Sequence, residues 1–226
     1  MSDGARRLTI AIDGPAGAGK STLARALAAA LGYTYVDSGA MYRVVGLAAH
    51  ERGIDLGDAP ALAALVATLD FTLQPDPSGQ RVLLEGRDVT DAIRTTAAGE
   101  RASRVAAVPE VRSGLVARQR ALGAAGGIVM DGRDIGTVVF PDAHCKFYVT
   151  ASVAERARRR ALDVGAPAEQ LPAIQHQIET RDRRDSERTH SPLAAAPDAE
   201  LVDTTGQSVD ALVTRLLQRV LERAKA

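Results

Sequence analysis

The amino-acid sequence predicts an α/β protein: a five-stranded parallel sheet flanked by helices, with a small antiparallel insertion and a helical lid. Three observations carry this. Five short apolar runs, Leu8–Asp13, Tyr33–Asp37, Ile128–Asp131, Cys145–Thr150 and Leu201–Asp203, end in small or acidic residues. Between them lie alanine- and leucine-rich stretches with helical spacing: Ser21–Leu31, Met41–Glu51, Arg101–Leu122 and Val209–Ala224. Continuous apolar strands alternating with helices indicate a parallel sheet covered on both faces. Finally, a glycine-rich turn joins the first strand to the first helix.

The remaining elements follow in chain order. Phe71-Thr-Leu, the Pro75-Asp-Pro-Ser-Gly79 turn and Val82-Leu-Leu-Glu-Gly86 read as an antiparallel excursion. Ser152-Val-Ala-Glu155 reads as a capping box, in which a serine and a glutamate three residues on satisfy the free N–H groups of a helix start. Val153–Arg188 holds eight arginines, interrupted by Gly165-Ala-Pro167, and reads as two hinged helices. Ser208 is expected to cap the last helix. The expected organisation is one domain, with a core of residues 1–58, 95–152 and 189–226, an insertion at 59–94 and a lid at 153–188. Asp55–Gln80 and Ala161–Gln175 read as loosely specified.

Composition bounds the function. The 226 residues carry 28 basic and 28 acidic side chains, so the general excess of positive charge that marks a nucleic-acid-binding surface is absent. No apolar run approaches the ~20 residues that span a bilayer, and the short polar stretch Met1–Arg7 does not read as a signal peptide. One cysteine, Cys145, cannot form an internal disulfide and reads as a small buried hydrophobe. A cytoplasmic monomer with small-molecule partners, no nucleic acid and no membrane is expected. Of the basic residues only Lys20, Lys146 and Lys225 are lysine, against 25 arginines. Coding bias and a need for forked, bidentate phosphate contacts both account for such an excess.

Gly14-Pro-Ala-Gly-Ala-Gly19-Lys20-Ser21 matches the phosphate-loop pattern G-x-x-x-x-G-K-[ST], after a strand and before a helix, as that motif requires. Glycines allow successive N–H groups to turn inward, and the helix N-terminus adds positive potential. Gly14, Pro15, Ala16, Gly17, Ala18, Gly19, Lys20, Ser21 and Thr22 are therefore the candidate ATP site, with Lys20 on the β/γ-phosphates and the Ser21 hydroxyl on Mg²⁺. Asp37 or Asp131 would help hold that ion through water, and the spacing leaves both open. Asp13 reads as structural. A guanine-reading Asn-Lys-x-Asp element is excluded, because the chain contains no asparagine. Size and the arginine-rich lid point to a small-molecule kinase.

Asp37-Ser-Gly-Ala-Met-Tyr-Arg43 and Asp131-Gly-Arg-Asp134 follow the second and third strands, where ligands of open α/β sheets bind. Together with Arg101-Ala-Ser103-Arg-Val-Ala-Ala-Val-Pro-Glu-Val-Arg112, Gly132-Arg-Asp-Ile-Gly-Thr-Val-Val-Phe-Pro141 and Arg181-Asp-Arg-Arg-Asp185-Ser-Glu-Arg188, they make the chain resemble the bacterial cytidylate kinases from end to end. The resemblance implies the P-loop kinase fold and transfer of the γ-phosphoryl of ATP to CMP or dCMP. It implies that Ser103, Arg112 and Asp134 read cytosine and that Arg181 and Asp185 lie near the ribose. Arg43, Arg133 and Arg188 would surround the acceptor phosphate, with Ser38 in the same site, and Arg156 and Arg160 would cover the ATP phosphates. Lys20, Arg43, Arg133, Arg156, Arg160 and Arg188 are the catalytic set so implied. For Arg158, Arg159, Arg183 and Arg184 the expectation is a solvated face paired with Glu155, Asp182 and Glu187. A kinase of another small acceptor (UMP, AMP or a shikimate-like alcohol) and a non-enzymatic ATP-binding regulator are the alternatives.

Overall fold

In the computed structural model, residues 7–76 and 79–225 are described. The strands are β1 (Thr9–Asp13), β2 (Thr34–Asp37), β3 (Phe71–Asp76), β4 (Gly79–Leu84), β5 (Arg87–Asp88), β6 (Ile128–Gly132), β7 (Cys145–Thr150) and β8 (Glu200–Asp203). The helices are α1 (Lys20–Leu31), α2 (Ser38–Glu51), α3 (Ala59–Thr68), α4 (Thr96–Val105), α5 (Pro109–Gly123), α6 (Val153–Asp163), α7 (Leu171–Ser186) and α8 (Val209–Lys225). A five-stranded sheet runs β2-β6-β1-β7-β8, and a three-stranded one β3-β4-β5. The chain divides into two units, Met1–Tyr33 with Gly126–Ala226, and Thr34–Ala125.

In the first unit β1 pairs in parallel with β6 and β7, and β7 with β8. Register brings Asp13 opposite Gly132 and Tyr148, so the residues after β1 and β6 leave the sheet at one edge. β1 and β6 are buried almost throughout, which is why they read as continuous apolar runs. After β6 the chain makes one π-helical turn, Ile135–Val139, held by the Asp134 carbonyl accepting from the N–H groups of Val138 and Val139. α6 begins as its sequence predicts, Ser152 Oγ accepting from the Glu155 N–H. α6 packs on α7 through buried Ala157, Ala161, Ile174 and Ile178. Ser208 Oγ likewise accepts from the Ala211 N–H at the start of α8.

The second unit encloses its own core, with Val45, Leu62, Leu65, Leu84, Ile93, Val105 and Leu115 all nearly inaccessible. β3 and β4 form the expected hairpin, paired from Phe71–Leu84 to Asp76–Gly79; Pro77 and Ser78 of its turn lie outside the described residues, as do Met1–Arg6. The stretch Arg101–Leu122, read as one helix, is two: α4 ends at Val105 and α5 starts at Pro109. A residue before proline is pushed out of helical conformation, and Val108 is extended at φ −83°, ψ 117°. α3 falls in a region read as loose; Asp58 caps it by accepting from the Ala61 N–H.

Candidate nucleotide site

The phosphate loop leaves β1 through Gly14, whose φ is +145°. A Cβ there would lie 1.9 Å from the Val149 carbonyl oxygen, so only glycine fits this turn. Three loop carbonyls are held from outside the loop's own backbone. Lys20 Nζ donates to the Pro15 oxygen at 2.7 Å, Arg156 Nη1 to the Ala16 oxygen at 3.3 Å, and Thr204 Oγ1 to the Ala18 oxygen at 3.0 Å. Fixing carbonyls in this way pre-orients the alternating N–H groups, which are what an anion-binding nest offers. Arg156 and Thr204 anchor the loop across 140 and 186 residues of sequence, and no local pattern announces either role.

Lys20 is buried. Desolvation, reinforced by Arg133 and by Arg181 and opposed by Asp131, holds its ammonium down to about 7. Ser21 Oγ donates to Asp131 Oδ2 at 2.9 Å. This hydroxyl and carboxylate are an oxygen pair suited to a hard divalent cation, which takes few protein ligands and keeps several waters. Asp37 is engaged otherwise: its carboxylate caps α2 by accepting from the Ala40 N–H at 3.0 Å and is paired with Arg43 Nη2 at 2.5 Å.

Beyond β6, Arg133 Nε donates to Asp185 Oδ2 at 3.1 Å, and Arg181 stands 4.0 Å from the same oxygen. Burial works against the Asp185 charge, but Arg133, Arg181 and Arg188 outweigh it and hold the carboxyl below its usual range. Arg188 Nη2 donates to the Ser191 carbonyl at 2.7 Å. Asp134 is buried. The predicted residues Arg133, Asp134, Arg181, Asp185 and Arg188 thus belong to the first unit, together with Lys20, Arg156 and Arg160.

In the second unit Ser38, Ser103 and Arg112 are buried. The Arg112 guanidinium lies over the Tyr42 ring, 5.5 Å from its centroid, a cation–π arrangement, and donates to the Ala106 carbonyl at 3.4 Å. α2 presses on α4 closely enough that a Cβ at Gly46 would meet Arg101 Cβ at 2.9 Å.

The α6 arginines separate by face. Arg156 is buried and paired with Asp182, while Arg158 and Arg159 both bond Glu155. The expected pairing of Asp182 with the exposed arginines is therefore corrected: the buried guanidinium takes it. Arg159 also donates to Thr204 Oγ1 and the Thr204 carbonyl, both at 2.9 Å. Cys145 is buried as expected, its thiol pushed up to about 11 by desolvation.

A glycine loop with anchored carbonyls, a buried lysine and a serine at the start of a helix, all at the carboxyl edge of a parallel sheet, define a P-loop nucleotide-binding protein. The cytidylate kinase family model matches residues 10–222. A cytidylate kinase of Exiguobacterium sibiricum is 53% identical over 215 residues, covering 94% of this chain and 96% of that protein. One of Geobacillus kaustophilus is 51% identical over 221 residues, 96% of this chain and 98% of that protein. The chain belongs to the cytidylate kinase family. Among solved structures, an uncharacterized protein from Eubacterium ventriosum shares the fold, with a TM-score of 0.55 at 11% identity over 96% of this chain and 99% of that one.

Proposed function

We propose that this member of the cytidylate kinase family transfers the γ-phosphoryl of ATP directly, in line, to CMP and dCMP. The observation that carries the reading is the anchored phosphate loop, with buried Lys20 and the Ser21–Asp131 pair, in a chain whose family match runs over residues 10–222. Gly14–Thr22 cradle the ATP phosphates with the backbone N–H groups of every residue but Pro15 available to donate, and Lys20 bears on the transferring end. The acceptor is a phosphate monoester with a second pKa near ~6, already dianionic at neutral pH, so no general base is needed. What must be overcome is repulsion between two polyanions. Arg43, Arg133 and Arg188 bear on the acceptor phosphate, with Ser38 beside it, and Arg156 and Arg160 on the donor. Arg181 and Asp185 bear on the ribose. Mg²⁺ is the fitting cofactor, neutralising phosphate charge; Ser21 would hold it directly and Asp131 through water. The Ser21–Asp131 bond favours Asp131 over Asp37, whose carboxylate is taken by Arg43 and the α2 cap.

Cytosine presents an exocyclic amino donor where uracil presents a carbonyl. A carboxylate is the natural acceptor for that amino group. Asp134 with Ser103 accepts from it, and Arg112 donates to the ring's acceptor edge. Uracil would set oxygen against carboxylate, an unpaired contact that rejects strongly. Asp134→Asn is accordingly expected to narrow the CMP-over-UMP ratio of kcat/KM, measured by steady-state assay; an unchanged ratio would remove Asp134 from base reading. The protein would act as a cytoplasmic monomer with a core, an insertion at 59–94 and a lid at 153–188 that closes over the substrates to exclude water. Among the described residues no helix is long and apolar enough to cross a membrane.

A further inference from the structure

Asp13, which the sequence offers only as a structural residue ahead of the phosphate loop, occupies an unusual station. Its side chain is buried, and its two carboxylate oxygens accept from the N–H groups of Ile135 and Gly136, each at 2.7 Å. These are the first two donors of the π-helical turn, the ones that a helix start leaves without partners in its own backbone. Asp134 stands at the cap position of that turn, with φ −148° and ψ 26°, yet its side chain makes no capping bond. An aspartate at a cap position ordinarily accepts with its own carboxylate from the second or third N–H of the turn, here Gly136 or Thr137. Here the strand next door supplies the acceptor instead.

The arrangement is closely fitted. A Cβ on Gly136 would meet Asp13 Oδ2 at 3.3 Å and Lys146 Cδ at 3.2 Å, so the turn sits directly on the carboxylate and on the stem of Lys146. Asp13 is also the last residue of β1 and is followed at once by Gly14. One carboxylate therefore joins the root of the phosphate loop to the turn that carries Asp134.

We infer that Asp13 is a specificity-positioning residue: by capping the Ile135–Val139 turn from the neighbouring strand, it keeps the Asp134 carboxylate off its own backbone and aimed at the exocyclic amino group of cytosine. This rests on the reading of Asp134 as the base-selecting carboxylate. Without the Asp13 acceptor, the Gly136 N–H would draw the Asp134 carboxylate back as a local cap, and selection would weaken although Asp134 is still present.

The test is a double-mutant cycle on the CMP-over-UMP ratio of kcat/KM, with thermal melts on every variant. Asp13→Ala removes both acceptor oxygens, and Asp13→Asn keeps one, which provides a milder variant should the alanine protein fail to fold. Asp13→Ala is expected to narrow the ratio about tenfold, the order of one lost base-discriminating contact, and Asp13→Asn by less. In the Asp134→Asn background neither Asp13 change should move the ratio further. A purely structural role would lower Tm and scale both substrates alike, leaving the ratio fixed, and that outcome overturns the inference. If Asp134→Asn itself leaves the ratio unchanged, the base-reading assignment fails instead; if Asp134→Asn narrows it and both Asp13 variants leave it unchanged, only the positioning role fails.

Discussion

The phosphate loop and the helical pair α6–α7 both carry groups of a kind suited to phosphate, but of opposite types. In the loop the binding groups are backbone N–H, and side chains serve to pin the carbonyls between them. In the helical pair the candidate groups are guanidinium tips, and their surroundings differ sharply. Arg156 and Arg158 are two residues apart, about 200° around a helix. Arg156 is 6% exposed and is bonded to Ala151, Ala16 and Asp182; Arg158 is 57% exposed and is bonded to Glu155. Two identical residues on one helix thus do different work: one braces the loop, the other belongs to a solvated face. Arginine-richness alone locates neither.

The largest expected effect sharpens the loop side of this contrast. Lys20→Met should lower kcat about 10³-fold, the scale of losing a charge aimed at the transferring group, in a coupled steady-state assay. Tm, measured at pH 6, should hold or rise. The folded ammonium sits at about 7, well below its ordinary value of 10.5. The unfolded chain therefore binds more protons between those two values, and stability rises with pH across that window. Below about pH 7 the penalty for the buried charge is in full, so removing the charge relieves it. Activity kept within tenfold, or a large drop in Tm, would break the assignment.

The Arg156 and Arg158 pair tests the contrast within α6. Arg156→Ala leaves the Asp182 carboxylate and the Ala16 carbonyl without their partner and should cost about 3–5 kcal/mol in denaturant unfolding, as breaking a buried ion pair does. Its kcat/KM for ATP should fall about 10²-fold. Arg158→Ala should leave the unfolding midpoint where it is in the parent protein and change activity less than about twofold. Equal effects from the two would mean that burial and contact to the loop are not what matters.

A smaller effect comes from pH. Because nucleotide phosphates favour the charged form of Lys20, ATP binding should draw a proton onto it. Affinity should then weaken about fivefold between pH 7 and 8, read by calorimetry in two buffers of different ionisation enthalpy. The Lys20→Met protein should lose that dependence; a dependence that persists would point to another group.

The fold was largely legible because its signals are local. Strand runs, the Ser152 and Ser208 caps and the loop pattern each depend on neighbours within about four residues, and all of them appear in the structure. The break at Pro109 and the Asp58 cap with Pro60 behind it were equally local and stood in the sequence to be read. The π-helical turn was not, since nothing in Ile135-Gly-Thr-Val-Val139 favours a five-residue closure over an ordinary one. The site divides in the same way. Lys20 and Ser21 follow from a contiguous motif, whereas the roles of Arg156, Thr204 and Asp13 depend on partners 122 or more residues away. Asp182 shows the limit from the other side: a surface pairing was the natural expectation for an aspartate amid exposed arginines, and a buried partner 26 residues upstream claims it.

The most direct test of the central claim is a coupled assay of the purified protein with ATP against CMP, dCMP, UMP, AMP and shikimate. The account predicts rapid phosphorylation of CMP and dCMP, far slower turnover of UMP, and none of AMP or shikimate. ATP binding without phosphorylation of any acceptor, or UMP, AMP or shikimate used as well as CMP, would contradict it.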